Sequence, residues 1–288
     1  MLAPHAVSEY GSLRQVAMRY AGDFTRDLEG PGMHPVLARQ KTTSTWAPYD
    51  TARVRAQQDA FIDLLRSRGT EVVLLDPAPG CSAQHYPRDL AFVIDDVLVM
   101  ARLNSAHRLP ETNALARLTA AMPKVVHLPD GTIEGGDVML HDGAVLVGLS
   151  EETSAAGIEA LRASLGALGI DREVVPVRFS VPGIVHLDDH FNIVAPRTAL
   201  IHRAVFPQAQ VRWFEQRFDL IDVTDDEALA VQANVLATAP ETVVIARGSD
   251  RIARALTARG IEVLIVDYSE VTKVPGSLRC STLPLLRA

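Results

Sequence analysis

The sequence predicts an α/β fold in one domain, residues 1–288, with similar supersecondary units arrayed around a central polar site. Three observations predict it. Short β-rich runs alternate with amphipathic helical stretches along the chain. Asp89, Asp137, His186, Asn234 and Cys280 follow one another at intervals of roughly 46 to 49 residues, each where a β-rich run meets a turn. No low-complexity stretch or Pro/Gly/Ser-rich linker divides the chain.

Taken in order, Asp50 reads as the N-cap of a helix that turns Val54, Phe61, Leu64 and Leu65 to the core and stops at Gly69. EVVLLD at 71–76 is a short apolar strand, and LAFVIDDVLVM at 90–100 a hairpin turning at Asp95 and Asp96. GAVLVGLS at 143–150 leads into a helix over about 153–168. EVVPVRF, HFNIVAPRTALIHRAVF, TVVIARG and EVLIVD supply further strands, with a helix near 249–259 between the last two.

Composition narrows the function. The chain has 288 residues, 48% of them hydrophobic, and a net charge of -7 with its 28 Lys and Arg scattered, so the basic footprint of a nucleic-acid binder is missing. An acidic surface favours a cationic ligand. MLAPHAVSEYGSLRQ has no cationic leader with an apolar segment behind it, and no stretch approaches the roughly 20 apolar residues of a membrane helix. These features predict a cytoplasmic protein with no nucleic-acid or membrane partner. In such a compartment Cys81 and Cys280 are expected as free thiols rather than a disulfide.

Four segments could carry chemistry. Cys280, in VPGSLRCSTLPL, follows a Pro-Gly turn outside any apolar helix or strand, whereas Cys81 in PAPGCSAQHY belongs to no wider pattern. In IVHLDDHFNIV, a strand would turn His186, Asp188 and His190 to one face. That face suits either a histidine serving a nucleophile beside an acid that binds a cation, or a divalent-metal site; a solvated edge strand would look the same. IEGGDVML places Glu134 and Asp137 around two glycines, which permit close backbone approach or simply punctuate a hairpin. In YPRDLAFV, Asp89 is either a turn residue or a carboxylate at the mouth of a site.

Arg-Asp before a strand, Glu-Gly-Gly-Asp, His-Leu-Asp and a terminal Gly-x-x-x-Cys-Ser-x-x-Pro, in this order, resemble the pentein superfamily of arginine deiminases, dimethylarginine dimethylaminohydrolases and amidinotransferases. The resemblance runs from about residue 84 to the C-terminus. It implies a five-bladed α/β propeller of pseudo-repeated ββαβ-type units. By position it implies Cys280 as nucleophile, His186 as general acid/base, Glu134 as the carboxylate orienting that histidine, and Asp89 and Asp188 as the grip on a guanidinium. Two carboxylates suit that ligand because a guanidinium is planar with forked donors. Substrate charge and His186 would both favour the thiolate, so the implied chemistry requires neither metal nor other cofactor. Asp137 and Asn234 are expected just behind the reacting groups, Asn234 in an Asn-Val-Leu stretch shared with the family. Oligomeric state is not fixed by these features; a homodimer is compatible with them.

Within the superfamily, Asp188 resembles the arginine deiminases and amidinotransferases and favours an unsubstituted guanidinium. Arg108 falls where relatives bind a substrate α-carboxylate, which suits arginine. Glu152 departs from the pattern: relatives often have an arginine there for the same carboxylate, and an acid would repel it and attract an ammonium. The loop at Gly276, reading Pro-Gly-Ser-Leu-Arg, is poorer in glycine than usual, which brings Leu278 or Arg279 toward the substrate's tail. The expected activity is hydrolysis of a C–N bond of arginine or a relative of it through a covalent thiouronium. Alternatives are an amidinotransferase, a metallohydrolase built on His186, Asp188 and His190, and a non-catalytic binding protein, against which the nucleophile and histidine both speak.

Overall fold

The computed structural model describes residues 3–22, 50–81 and 84–288. Its strands form five three-stranded sheets of one topology, in which the second strand pairs antiparallel with the first and parallel with the third. The first unit joins Leu283–Arg287, Leu13–Met18 and Glu71–Leu74, so the C-terminal strand completes the N-terminal sheet. The second contains Ala91–Ile94, Val97–Met100 and Val125–His127, the third Val138–His141, Ala144–Leu149 and Glu173–Arg178. The fourth contains Phe191–Ala195, Thr198–Ile201 and Asp219–Asp222, the fifth Leu236–Ala239, Thr242–Ala246 and Glu262–Val266. This is the α/β architecture of five repeated units that the sequence motifs imply.

A hairpin can join antiparallel strands, but the parallel third strand needs a crossover, and helices supply it. Thr51–Ser67, Ala155–Ala167, Gln208–Glu215 and Asp250–Thr257 lie between second and third strands of their units, and Leu109–Asn113 with Ala116–Ala120 do so in the second unit. The first of these begins as expected, with Asp50 accepting from Arg53 N at 3.0 Å, and Gly69 follows it with φ +82°. Val54, Phe61 and Leu65 are buried, while Leu64 is only half-buried. The hairpin over Ala91–Met100 turns at Asp95, which has positive φ, and Ser154 caps the helix that follows the 144–149 strand.

Burial falls from the first strands to the third. Ala91–Ile94, Val138–His141 and Phe191–Ala195 are buried throughout, while Glu71–Leu74, Asp219–Asp222 and Glu262–Val266 keep exposed positions. First strands of different units lie side by side: Leu283–Arg287 by Ala91–Ile94, and Phe191–Ala195 by both Val138–His141 and Leu236–Ala239. The periodic polar residues acquire a structural meaning here. Asp89, Asp137, Asn234 and Cys280 occupy the turn that feeds a first strand and His186 caps the start of such a turn, so the repeat gathers them at one end of those strands.

One local expectation fails. The segment at 186–190 is not a strand: Leu187–Asp189 forms a 3-10 turn, with strand beginning only at Phe191. Among the described residues no helix is long and apolar enough to cross a membrane.

Candidate active site

Cys280 is buried and not in a disulfide, and neither is Cys81. Asn234 brackets it, donating from Nδ2 to Cys280 Sγ at 2.9 Å and accepting Cys280 N on Oδ1 at 3.1 Å. The same Nδ2 reaches Asp189 Oδ1 at 3.1 Å. The thiol faces Asp188, whose carboxylate oxygens lie 3.7 and 3.9 Å from Sγ. Burial, and then the charges of Asp188, Asp189 and Asp89, hold the thiol well above its ordinary value.

His186 occupies the other edge. Its Nε2 donates to Glu134 Oε2 at 3.0 Å and its Nδ1 lies 3.6 Å from Asp89 Oδ1. Burial pulls the imidazolium down, but Asp89, Glu134 and Asp137 outweigh it and hold the ring well above its ordinary value. Gly136 makes the ring's position achievable, since a Cβ there would come within 2.6 Å of His186 Cγ. Asp137 fixes the backbone beside it, accepting from Leu187 N at 2.9 Å, Thr153 Oγ1 at 2.6 Å and Ser150 Oγ at 2.7 Å. Burial pushes the Asp137 carboxyl up, to about 7, against the opposing pull of His186 and these donors.

The two acids expected to grip a guanidinium each hold one from this chain. Asp188 Oδ2 accepts from Arg279 Nη1 at 2.7 Å, and Asp89 Oδ2 from Arg108 Nη1 at 2.8 Å. Arg108, expected at a substrate carboxylate, lies among acids: Nε and Nη2 each reach Glu111 at 3.0 Å, and Nη1 lies 3.6 Å from Glu134. Asp89 Oδ1 and Glu134 Oε1 are nonetheless buried without a hydrogen-bond partner. Glu152, buried close enough to feel Glu134, His186 and Arg108, has the same feature at Oε2.

Several expectations need correction. Arg279 is spent on contacts within the chain: it is 1% exposed and braced by Glu9 at 3.1 Å and the Val138 carbonyl at 2.7 Å. Leu278 packs in the same buried cluster as Cys280. His186 is paired with carboxylates rather than with the sulfur, so its charge is already balanced before it can favour the thiolate. His186, Asp188 and His190 do not converge, because Asp188 holds Arg279 while His190 meets His202 Nδ1 at 3.1 Å. Among the described residues, the two groups with three metal-type ligands within 4.8 Å are Asp89, Glu134, His186 and Asp188, Asp189, Cys280, and an arginine already neutralises an acid in each.

The sequence reading missed Asp189, Thr153 and Ser150. Asp189 sits two residues before a first strand, the position that Asp89 and Asn234 hold in other units, so superposing the turns would have found it. Gly276 has φ +133° and packs on Tyr86, where a Cβ would lie 2.7 Å from the ring. That contact, with the Tyr86 hydroxyl donating to Val274 O at 2.7 Å, anchors the loop ahead of Cys280.

A repeated α/β fold with a thiol, an imidazole and a ring of acids at one end of its first strands defines a guanidino-modifying enzyme of the pentein superfamily. A family model described as N,N dimethylarginine dimethylhydrolase, eukaryotic, matches residues 38–287, and the chain belongs to that family. It is 32% identical over 232 residues to the uncharacterized protein YkgA of Bacillus subtilis (strain 168), covering 80% of this chain and 79% of that one. It is 28% identical over 233 residues to the N(G),N(G)-dimethylarginine dimethylaminohydrolase of Streptomyces coelicolor, covering 80% and 84%. Its fold matches an amidinotransferase of the saxitoxin biosynthetic pathway from Microseira wollei with a TM-score of 0.82 at 18% identity, over 99% of this chain and 98% of that one.

Proposed function

We propose that this protein hydrolyses a C–N bond of a guanidino compound, arginine or a relative of it, with Cys280 as nucleophile, His186 as general acid/base and Glu134 as the carboxylate that orients His186. The observation that carries the reading is the pair of unpartnered acceptors, Asp89 Oδ1 and Glu134 Oε1, on either side of His186. A guanidinium has donors and no acceptors, so it satisfies both while bringing a positive charge to a site crowded with acids. Asp188, 3.7 Å from Sγ, would hold its opposite edge while remaining on Arg279.

The chemistry follows from protonation. The bound cation offsets the acids that hold the Cys280 proton, and the thiol releases that proton to solvent. Thiolate attack forms a C–S bond as the C–N π electrons move to nitrogen. His186, which enters as the imidazolium, gives its proton to the departing nitrogen, and the C–N bond breaks to leave an S-alkylthiouronium. Neutral His186 then takes a proton from water, the hydroxide adds to the same carbon, and collapse returns the thiolate and a ureido product whose hydroxyl proton passes to the released amine. Asn234 Nδ2, 2.9 Å from Sγ, stabilises the thiolate at both ends of the cycle.

An amine in place of water at the thiouronium would make the same chain an amidinotransferase. The test is a panel of arginine, methylated arginines and simpler guanidines, scored for ammonia, amine and urea-type products with and without an added amine. Turnover that survives exhaustive chelation and is abolished in Cys280→Ser is expected. Turnover lost to chelation but kept in Cys280→Ser would overturn the reading in favour of metal chemistry.

A further inference from the structure

Glu152 takes no part in the bond-breaking chemistry, yet it is built into the same edge of the site. Its turn is tied to the catalytic residues: Thr153 Oγ1 accepts from Glu134 N at 3.1 Å and donates to Asp137, while Ser150 Oγ donates to Asp137 and accepts from Glu152 N at 3.1 Å. The residue is 8% exposed and Oε2 has no hydrogen-bond partner. A buried carboxylate oxygen left unsatisfied is costly, and such groups persist where a ligand offsets the cost.

The charges around Glu152 indicate what that ligand brings. Burial and then the Glu134 carboxylate push the Glu152 acid up, while His186, the Asn104 amide and Arg108 pull the other way. Neither cation is available to a substrate carboxylate. His186 is engaged by Glu134, and the Arg108 fork lies on Glu111 and Asp89. An anionic tail at this edge would meet Glu152 and Glu134 with neither His186 nor Arg108 free to balance it; a cationic tail would give Oε2 its missing donor.

We infer that Glu152 selects the tail of the substrate: the guanidino compound carries a second cationic group, an ammonium or another guanidinium, at the end remote from the carbon that Cys280 attacks. The inference rests on the guanidine-hydrolase reading and narrows its substrate class to guanidines whose tail is cationic and bears no carboxylate, unlike arginine, whose α-ammonium stands beside one.

The experiment uses three matched series with propyl to pentyl spacers: aminoalkylguanidines, alkylguanidines and guanidinoalkanoates. Wild-type kcat/KM is expected to favour the best aminoalkylguanidine over its alkyl counterpart by about 10-fold or more, and over its carboxylate counterpart by about 100-fold, the scale of one charge-assisted hydrogen bond gained or one like-charge contact imposed. Glu152→Gln should bring the aminoalkyl to alkyl ratio close to one with an unfolding midpoint near that of wild type, a pattern that misfolding would not produce. Glu152→Arg should reverse the order toward the carboxylates. A wild-type preference for guanidinoalkanoates, or a ratio that Glu152→Gln does not move, overturns the inference; the first result would direct attention to Arg19, whose Nε and Nη1 are buried without a partner. If no guanidine of any series is turned over or slows alkylation of Cys280, the hydrolase reading itself fails and takes the inference with it.

Discussion

Two buried arginines sit on acids of one site and do different work there. Arg279, next to the thiol in sequence, finds Glu9 near the N-terminus, Asp188 in the turn that feeds the fourth unit and the Val138 carbonyl on the first strand of the third. It ties distant parts of the chain together, and neither Asp188 oxygen is left unpartnered. Arg108 divides its fork between Asp89 and Glu111, three residues further on, and leaves Asp89 Oδ1 and Glu134 Oε1 without partners. The contrast teaches that at the thiol edge Asp188 must share its oxygens between Arg279, the thiol and a ligand, while the histidine edge retains acceptors that have no partner of their own.

Breaking the thiol-edge arginine gives the largest expected effect. Arg279→Met should lower unfolding free energy by about 3–5 kcal/mol, because it leaves Asp188 as a buried charge without the arginine that holds it and removes one of the arginines around Glu9. Urea unfolding measures it, and a midpoint equal to wild type would show that Arg279 is not a strut. On the histidine edge, Asp89→Asn should reduce kcat/KM by roughly 100- to 1000-fold, the usual scale for losing a charge-stabilising contact at the reacting atoms. Its unfolding midpoint should move much less than that of Asp188→Asn, which loses both substrate contact and strut. Equal midpoints would remove the distinction between the edges.

Gly136→Ala sharpens the comparison from the backbone side. Its Cβ would press on His186 Cγ at 2.6 Å, so the ring must tilt off Glu134 or the backbone must shift. Overpacking of this kind costs about 1–3 kcal/mol, and kcat/KM should fall further than stability alone accounts for. Full activity would mean that the ring has slack the structure does not show.

The smallest effect tests the thiol's surroundings. With the Cys280 proton held by burial and by Asp188, Asp189 and Asp89, the fraction of thiolate grows only as pH rises past the ordinary thiol value of 9.0. Alkylation of Cys280 by a small neutral reagent should therefore still be climbing at pH 9.0. A plateau near neutrality would place an unopposed positive charge at the sulfur.

Much of this was legible because the repeat writes itself into the sequence. One polar residue in the turn before each first strand recurs at the length of a unit, which is why Asp89, Asp137, Asn234 and Cys280 could be grouped without a structure. The Glu134 contact with His186 was legible only through the family resemblance of the Glu-Gly-Gly-Asp motif. What stayed hidden depended on long-range pairing or on weak local signal. Arg279 meets Glu9 across 270 residues and Asp188 across 91, a separation that no local pattern encodes. The third strands at Val125–His127 and Asp219–Asp222 are short and partly exposed, so they carry no apolar run. The 3-10 turn at Leu187–Asp189 was read as strand because a few alternating polar residues look alike in either conformation.

The central claim is a covalent bond from Cys280 Sγ to the guanidine carbon. Acid-quenched intact-mass analysis during turnover of the best guanidine, followed by peptide mapping, tests it most directly. The account predicts a species heavier by the substrate less its departing amine, located on Cys280 and missing in Cys280→Ser. Steady turnover with unmodified protein at every quench time, retained in Cys280→Ser, would contradict it.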